Sequence, residues 1–298
     1  MAQHFVASIR IDGGEAAPAA VLDGHAHRIP GAASVRAMLD EWDAWLARIE
    51  QGRLEDGVAV DRCTLLPPVG DPPNLYMAGA NYADHAREMH GLGPHDPVPR
   101  SDSGPFFFLR PTTTLIGAGA TVRIGEGVTR LDWEVELAAV IGRRAYRVAE
   151  NAALEYVAGY TILNDVSARD TFVRRGAEPP FTFDWLGQKG WASTAPAGPW
   201  LLPARDCPEP GRLDLRLSVN AEPMQDSNTS QMLFSLEEQI AFLSRIVPLV
   251  PGDIISTGTC AGVGVGRDRF LAAGDVMTAE IERIGTLTNP VGEATTDV

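Results

Sequence analysis

Cysteine is scarce in this chain of 298 residues: Cys63, Cys207 and Cys260 stand far apart and form no C-x-x-C pair. So few, so placed, they build no disulfide framework and fit a reducing compartment. Apolar runs are short, and none approaches the roughly 18 residues of a membrane span. The start, Met1-Ala2-Gln3-His4-Phe5, lacks the basic-then-apolar pattern of a signal peptide. These absences predict a soluble, cytoplasmic protein with no membrane partner. Positive charge is also in short supply: 25 Lys+Arg face 39 Asp+Glu, a formal net charge of -14. Such an acidic surface excludes broad nucleic-acid binding, so an anionic ligand must be drawn by a metal or a few basic side chains.

What is present is ordinary globular composition, 45% hydrophobic and 21% charged, in a chain long enough for a large core. The proline-dense stretch Leu66 to Pro73 disfavours helix and sheet and marks a soft boundary. Before it, residues 1–70 read as a small unit: strand Phe5–Ile11, a Gly13-Gly14 turn, strand Ala19–Leu22, and an amphipathic helix over Ala33–Glu50. After it, residues 71–298 form a larger unit in which strands outnumber helices, so the class is α+β. Pro105 to Pro111 reads as a buried strand ending in Arg110. Arg212 to Asn220 alternates like a strand with one wet face, and Ser235 to Glu238 is a capping box opening a helix. Ile254 to Thr259 reads as a further strand, and Val276 to Leu287 closes the sheet. Gly91 to Gly104, rich in Gly, Pro, Asp and Ser, is a candidate lid. Gly262-Val263-Gly264-Val265-Gly266 invites a nucleotide-loop reading but lacks the dinucleotide spacing and any following βαβ pattern.

The most informative stretch is Leu131 to Gly142, an apolar strand that nonetheless contains Glu134 and Glu136. Two positions apart on a strand they share a face, where like charges repel and an unpaired buried carboxylate is costly. A second apolar run, Val157 to Asn164, ends at Asp165. Three carboxylates with no histidine or cysteine beside them describe an oxygen site suited to Mg²⁺, Mn²⁺ or Ca²⁺. Pairing to arginines such as Arg143, Arg144 or Arg169 is the competing explanation.

Several stretches together resemble the fumarylacetoacetate hydrolase superfamily. They are Gly79-Ala80-Asn81-Tyr82-Ala83-Asp84-His85, Asp132-Trp133-Glu134-Val135-Glu136-Leu137, Asn164-Asp165-Val166-Ser167-Ala168-Arg169-Asp170, Ser227-Asn228-Thr229-Ser230 and Pro251 to Thr259, in the family's order. The resemblance implies a mixed β-sheet roll, a homodimer, and a Mg²⁺ or Mn²⁺ ion held by Glu134, Glu136 and Asp165. It implies a small anionic 2-oxo or β-diketo acid as substrate, with hydrolysis of a C–C bond as the leading expectation. Decarboxylation, isomerisation or sugar-acid dehydration on the same scaffold is the first alternative, and a non-catalytic ligand-binding protein the second.

Within that reading His85 and Glu88, at i and i+3 of a helical turn, form a dyad in which the carboxylate orients the imidazole as a base. A helix-surface pair is the plainer account of the same spacing. Lys189 rebalances the acidic site and holds substrate, unless it is an ordinary surface lysine. Arg110, Thr259 and Tyr82 are candidate substrate contacts. Arg110 stands where the family often has lysine, and the segment from Asp170 to Lys189 is longer than usual. Together these predict a substrate with an additional polar or anionic end. Cys260, without an evident histidine partner, reads as packing.

Overall fold

The computed structural model describes residues 4–294, so Met1 to Gln3, part of the stretch read above for a leader, lie outside it. Its backbone is a large mixed sheet packed against a smaller one. In the large sheet the strands run, in spatial order, His25–Arg28, Ala17–Leu22, Phe5–Ile11, Ala195–Pro203, Val157–Asn164, Val135–Ile141, Ile254–Ser256, Leu75–Gly79 and Phe106–Leu109. Neighbours are antiparallel except Ile254–Ser256 against Leu75–Gly79, which is parallel. The five-stranded sheet is Glu222–Asn228, Asp214–Val219, Val276–Ile281, Gly285–Gly292 and Val122–Arg123. Because Phe5–Ile11 pairs with Ala195–Pro203, the strands of the amino-terminal unit prolong the same sheet as the larger unit.

The strand Val135–Ile141 is buried along its whole length because both its faces are covered. Leu137, Ala139 and Ile141 pack with Leu215, Leu217, Met277 and Leu287 of the smaller sheet. Ala138 and Val140 pack on Met38, Leu46 and Ile49 of the amino-terminal helices. Each large apolar side chain removed from water here contributes about 1.5–3 kcal/mol. Coverage of both faces explains the unbroken apolar run, which single-sided burial would have turned into alternation.

Several expectations change in detail. The helix expected over Ala33–Glu50 is two α-helices, Val35–Met38 and Trp42–Glu50, joined by a 3₁₀ turn at Leu39–Glu41. The strand expected to Thr259 is regular only over Ile254–Ser256, and Val276 to Leu287 resolves into a hairpin of two strands. Phe106–Leu109 is not a buried strand: it is the last of its sheet, with Phe106 and Leu109 exposed. Apolar content alone does not say whether a neighbour covers a strand. The predicted capping box is present, with Ser235 and Glu238 exchanging hydrogen bonds at the start of helix Leu236–Ile246. Among the described residues no helix is long and apolar enough to cross a membrane.

Candidate metal centre and acid–base dyad

The run Leu131 to Gly142 is not one strand. Regular pairing stops between Asp132 and Val135, since three successive backbone N–H groups are diverted to side chains. Trp133 N donates to Asp132 Oδ1 (2.8 Å), Glu134 N to Asn164 Oδ1 (2.9 Å) and Val135 N to Gln225 Oε1 (3.0 Å). Asp165 N donates to Glu134 O (2.8 Å), which ties the two strand ends together at this break. The kink brings the carboxylates of Glu134, Glu136 and Asp165 together, with one oxygen of each lying within 4.8 Å of the others, all three buried.

The charges around them decide what the cluster can hold. Lys189, from the end of helix Trp185–Lys189, donates to Glu134 Oε2 at 2.8 Å and to Asp165 Oδ2. Arg169 bridges Asp132 Oδ2 (2.8 Å) and Glu134 Oε1 (2.5 Å). Burial alone would raise the Glu134 pKa, but the charges of Lys189 and Arg169 outweigh it and hold this carboxyl well below the usual range. Glu136 is different. Its Oε2 accepts from Ser256 Oγ (2.5 Å) and Gly258 N (3.0 Å), and among the described residues no basic side chain pairs with it. Burial, then repulsion from Asp165 and Glu134, pushes its pKa well up. Four buried carboxyl groups (Asp132, Glu134, Glu136, Asp165) thus meet three cations (Arg110, Arg169, Lys189), and Glu136 is the one left without a cation.

A divalent cation fits this donor set. It is all oxygen, it carries one uncompensated buried charge, and Glu136 is already oriented by two donors on its other oxygen. Glu134, Glu136 and Asp165 would hold the ion. The centre would then carry a net positive charge, the local attraction an anionic ligand needs in a chain of net charge -14. Gly258 shapes one wall: at φ +91° it turns its N–H to Glu136, and a Cβ there would lie 3.0 Å from that of Asn81.

His85 and Glu88 lie on the helix Ala83–His90, with His85 Nδ1 3.4 Å from Glu88 Oε2. Glu88 also takes the amide of Gly262, at 3.0 and 3.1 Å to its two oxygens. Burial would raise its pKa, yet the bonds from His85 and Gly262 win and lower it, so the carboxylate stays charged beside the imidazole. Asp84 fixes the start of the helix, its Oδ1 accepting from His85 N (2.7 Å) and its Oδ2 from Ser227 Oγ (2.5 Å). The loop that carries Gly262 also holds Asp132 through Gly264 N and Val265 N, and Asp132 shares Arg169 with Glu134, so dyad and acidic cluster are tied to one another through this loop.

Of the other sequence candidates, Arg110 and Thr259 spend their polar atoms on the protein, and Tyr82, which precedes the dyad helix, keeps a buried hydroxyl without a hydrogen-bond partner among the described residues. Arg110 is buried, and its donors go to Asp165 Oδ1, Val166 O, Thr114 Oγ1 and Thr194. It braces a cluster carboxylate, that of Asp165. Thr259 Oγ1 donates to Val135 O (2.9 Å) and accepts from Gln225 Nε2 (2.9 Å), so its hydroxyl is committed to one backbone and one side-chain partner. Tyr82 is fully buried. The long segment to Lys189 carries exposed Arg174 and Arg175 together with an aromatic cluster: Phe172 packs edge-on to Trp185, Trp185 stacks on Phe108, and the Phe108 ring lies 5.6 Å from Lys189 Nζ. Arg143 pairs with Asp43, away from the centre. Arg169 does pair with Glu134, so the ion-pair explanation holds for that residue while leaving Glu136 unpaired.

Sequence reasoning missed Asp132, Gln225 and the glycine loop. Asp132 was in view, two places before Glu134 in an Asp-x-Glu-x-Glu alternation. Its two oxygens accept from Trp133 N, Gly264 N (2.6 Å), Val265 N (3.0 Å) and Arg169 Nε. All four partners are donors, so an amide NH₂ in place of either oxygen faces a donor. We expect Asp132→Asn to cost about 3 kcal/mol in a denaturant melt. A loss below about 0.5 kcal/mol would mean these bonds do not hold the loop. Lys189 carried an unused signal as well: it is the chain's only lysine.

Comparison with known proteins agrees with the geometry. Residues 74–292 match the family model described as fumarylacetoacetate (FAA) hydrolase C-terminal. The oxaloacetate tautomerase FAHD2A of Bos taurus is 40% identical over 230 residues, covering 76% of this chain and 69% of the relative. The crystal structure of 5-carboxymethyl-2-hydroxymuconate delta-isomerase from Mycobacterium smegmatis is 31% identical, with a TM-score of 0.74 over 98% of this chain and 100% of that one. That of maleylpyruvate hydrolase from Sphingobium sp. SYK-6, in complex with manganese(II) and pyruvate, is 26% identical with a TM-score of 0.78, covering 98% and 100%.

Proposed function

Starting from a chain that belongs to the fumarylacetoacetate hydrolase family, we propose that it moves a proton at the carbon beside the carbonyl of a small anionic 2-oxo acid. Keto–enol tautomerisation of an oxaloacetate-like acid is the leading reaction. The observation that carries this is the His85–Glu88 dyad, clamped by Gly262 and tied through that loop to a carboxylate cluster that suits Mg²⁺ or Mn²⁺. With a proton on Nδ1 facing Glu88, the Nε2 of His85 keeps a free lone pair and serves as the base. A divalent ion on Glu134, Glu136 and Asp165 would supply Lewis-acid polarisation of the 2-oxo carbonyl, easing loss of the neighbouring proton. Lys189 and Arg169 keep Glu134 ionised and oriented, and Arg110 holds Asp165 in place. The tautomerase relative supports this order, because that chemistry needs one base and no attacking water.

Hydrolysis of a C–C bond in an acylpyruvate-type acid, the leading expectation from sequence, is the second reading. The likeness to maleylpyruvate hydrolase favours it, and the same base would then activate water.

The test follows oxaloacetate and acetylpyruvate by ultraviolet absorbance and NMR, with chelator-stripped protein before and after Mg²⁺ or Mn²⁺. Metal-dependent equilibration of enol and keto oxaloacetate is expected, and His85→Ala should lower kcat about 10²- to 10⁴-fold. Formation of acetate and pyruvate from acetylpyruvate would put hydrolysis first. Full activity in His85→Ala would end both readings as stated.

A further inference from the structure

The glycine loop rejected as a nucleotide site touches both halves of the centre. Gly262 N donates to both oxygens of Glu88, while Gly262 O accepts from the indole of Trp133 (3.1 Å). Two residues on, Gly264 N and Val265 N grip the two oxygens of Asp132, whose Oδ2 also takes Arg169, and Arg169 in turn takes Glu134. One short loop therefore holds the carboxylate of the dyad by one amide and, through Asp132 and Arg169, a carboxylate of the cluster by two more.

Each glycine is required by a different contact. Gly262, at φ +98°, would put a Cβ 2.0 Å from Met224 O. At Gly264 a Cβ would lie 2.1 Å from Arg269 O and 2.7 Å from Asp132 Oδ1. At Gly266 the three nearest atoms would all be those of Glu88, at 3.0 Å for Cδ and Oε1 and 3.3 Å for Cγ. The first two clash with backbone. The third leaves the loop untouched and presses on the side chain that orients His85.

We propose that Gly262–Gly266 is the positioning element of this centre: its amides set Glu88, and so His85, in register with the carboxylate cluster, and Gly266 is glycine to leave room for Glu88. This rests on the dyad reading above. The loop touches no substrate and transfers no proton. It acts through Glu88 on one side and Asp132 on the other. The spacing Gly-x-Gly-x-Gly follows from this: the first amide faces the dyad, the middle pair faces Asp132, and the last residue passes under the dyad carboxylate. Misplacing a base by about 1 Å is enough to lower a rate about 100-fold.

The experiment compares wild type, Gly266→Ala, Glu88→Gln and the double variant. Kinetics use oxaloacetate with Mg²⁺, and the His85 imidazole is followed by NMR in the metal-free proteins. Gly266→Ala is expected to shift the His85 ring resonances and their titration, to lower kcat about 10- to 100-fold with KM within about twofold, and to leave the melting temperature and Mg²⁺ affinity near wild type. In the Glu88→Gln background the same alanine should lower kcat less than about twofold further, because its target is already disabled. Unmoved His85 resonances, or additive effects in the double variant, overturn the proposal. Moved resonances with unchanged turnover leave the positioning role standing and remove the dyad from catalysis. Should Gly266→Ala fail to fold, amide exchange decides: Glu88→Ala should speed exchange at Gly262 about tenfold or more, and an unchanged rate overturns the clamp.

Discussion

Replacing Lys189 by methionine is expected to lower kcat more than about 100-fold and to destabilise the metal-free protein by about 3–5 kcal/mol. Lys189 is buried and donates to Glu134 and Asp165 at once, so the variant leaves two buried carboxylates facing each other without it. Methionine keeps the length and the contact with Phe108, so the loss is one of charge rather than packing. A divalent ion between the same carboxylates offsets that loss. The melting temperature should therefore rise more on adding Mn²⁺ in Lys189→Met than in wild type. Equal increments, or a metal-free variant as stable as wild type, would show that Lys189 does not balance these charges. Because the chain has no other lysine, an amine-directed acylating reagent reports on this residue with only the amino terminus as background.

Glu136→Gln should act in the opposite sense on stability and more severely on metal binding. Glutamine retains an acceptor for Ser256 and Gly258 but removes the one cluster carboxylate that has no basic partner. Divalent-metal affinity should fall at least about 100-fold, the order that changes behind the ligands alone reach. The metal-free variant should melt at or above wild type, because a neutral amide escapes the cost of an uncompensated buried charge. A pH signature accompanies this. The folded-state pKa of Glu136 is raised, by burial first and then by Asp165 and Glu134. Its contribution to metal-free stability is thus full below the ordinary carboxylate range and is lost as pH rises through the raised value. Metal-free wild type should lose melting temperature from mildly acidic to mildly alkaline pH, and Glu136→Gln should flatten that slope. A slope equal in both proteins would place the titration elsewhere. A marked fall in metal-free stability would show that Glu136 has a partner cation after all.

Much of the frame is decided locally. Period-two apolar runs, the Ser235–Glu238 capping box and the Gly13-Gly14 turn depend on residues a few places apart, so they were legible without the fold. The pairing of Glu134 and Glu136 with Asp165 was legible for a related reason: acidic residues in or beside buried apolar strands need compensation wherever the strands lie. Other features belong to the tertiary structure alone. Phe106–Leu109 reads as buried by composition, but whether a strand is an edge depends on what pairs beside it. Arg110 and Thr259 carry suitable chemistry, and only their neighbours direct it inward. Lys189 and Arg169 reach Asp165, Glu134 and Asp132 across separations of 24 to 55 residues. No periodicity reports a contact of that kind, and a buried ion pair is specified by geometry as much as by residue type. The sequence by itself thus determined the α+β frame and the acidic triad. Folding decided which cations balance the triad and which one carboxylate is left over, because charge compensation in a buried site is a long-range property of the packed chain.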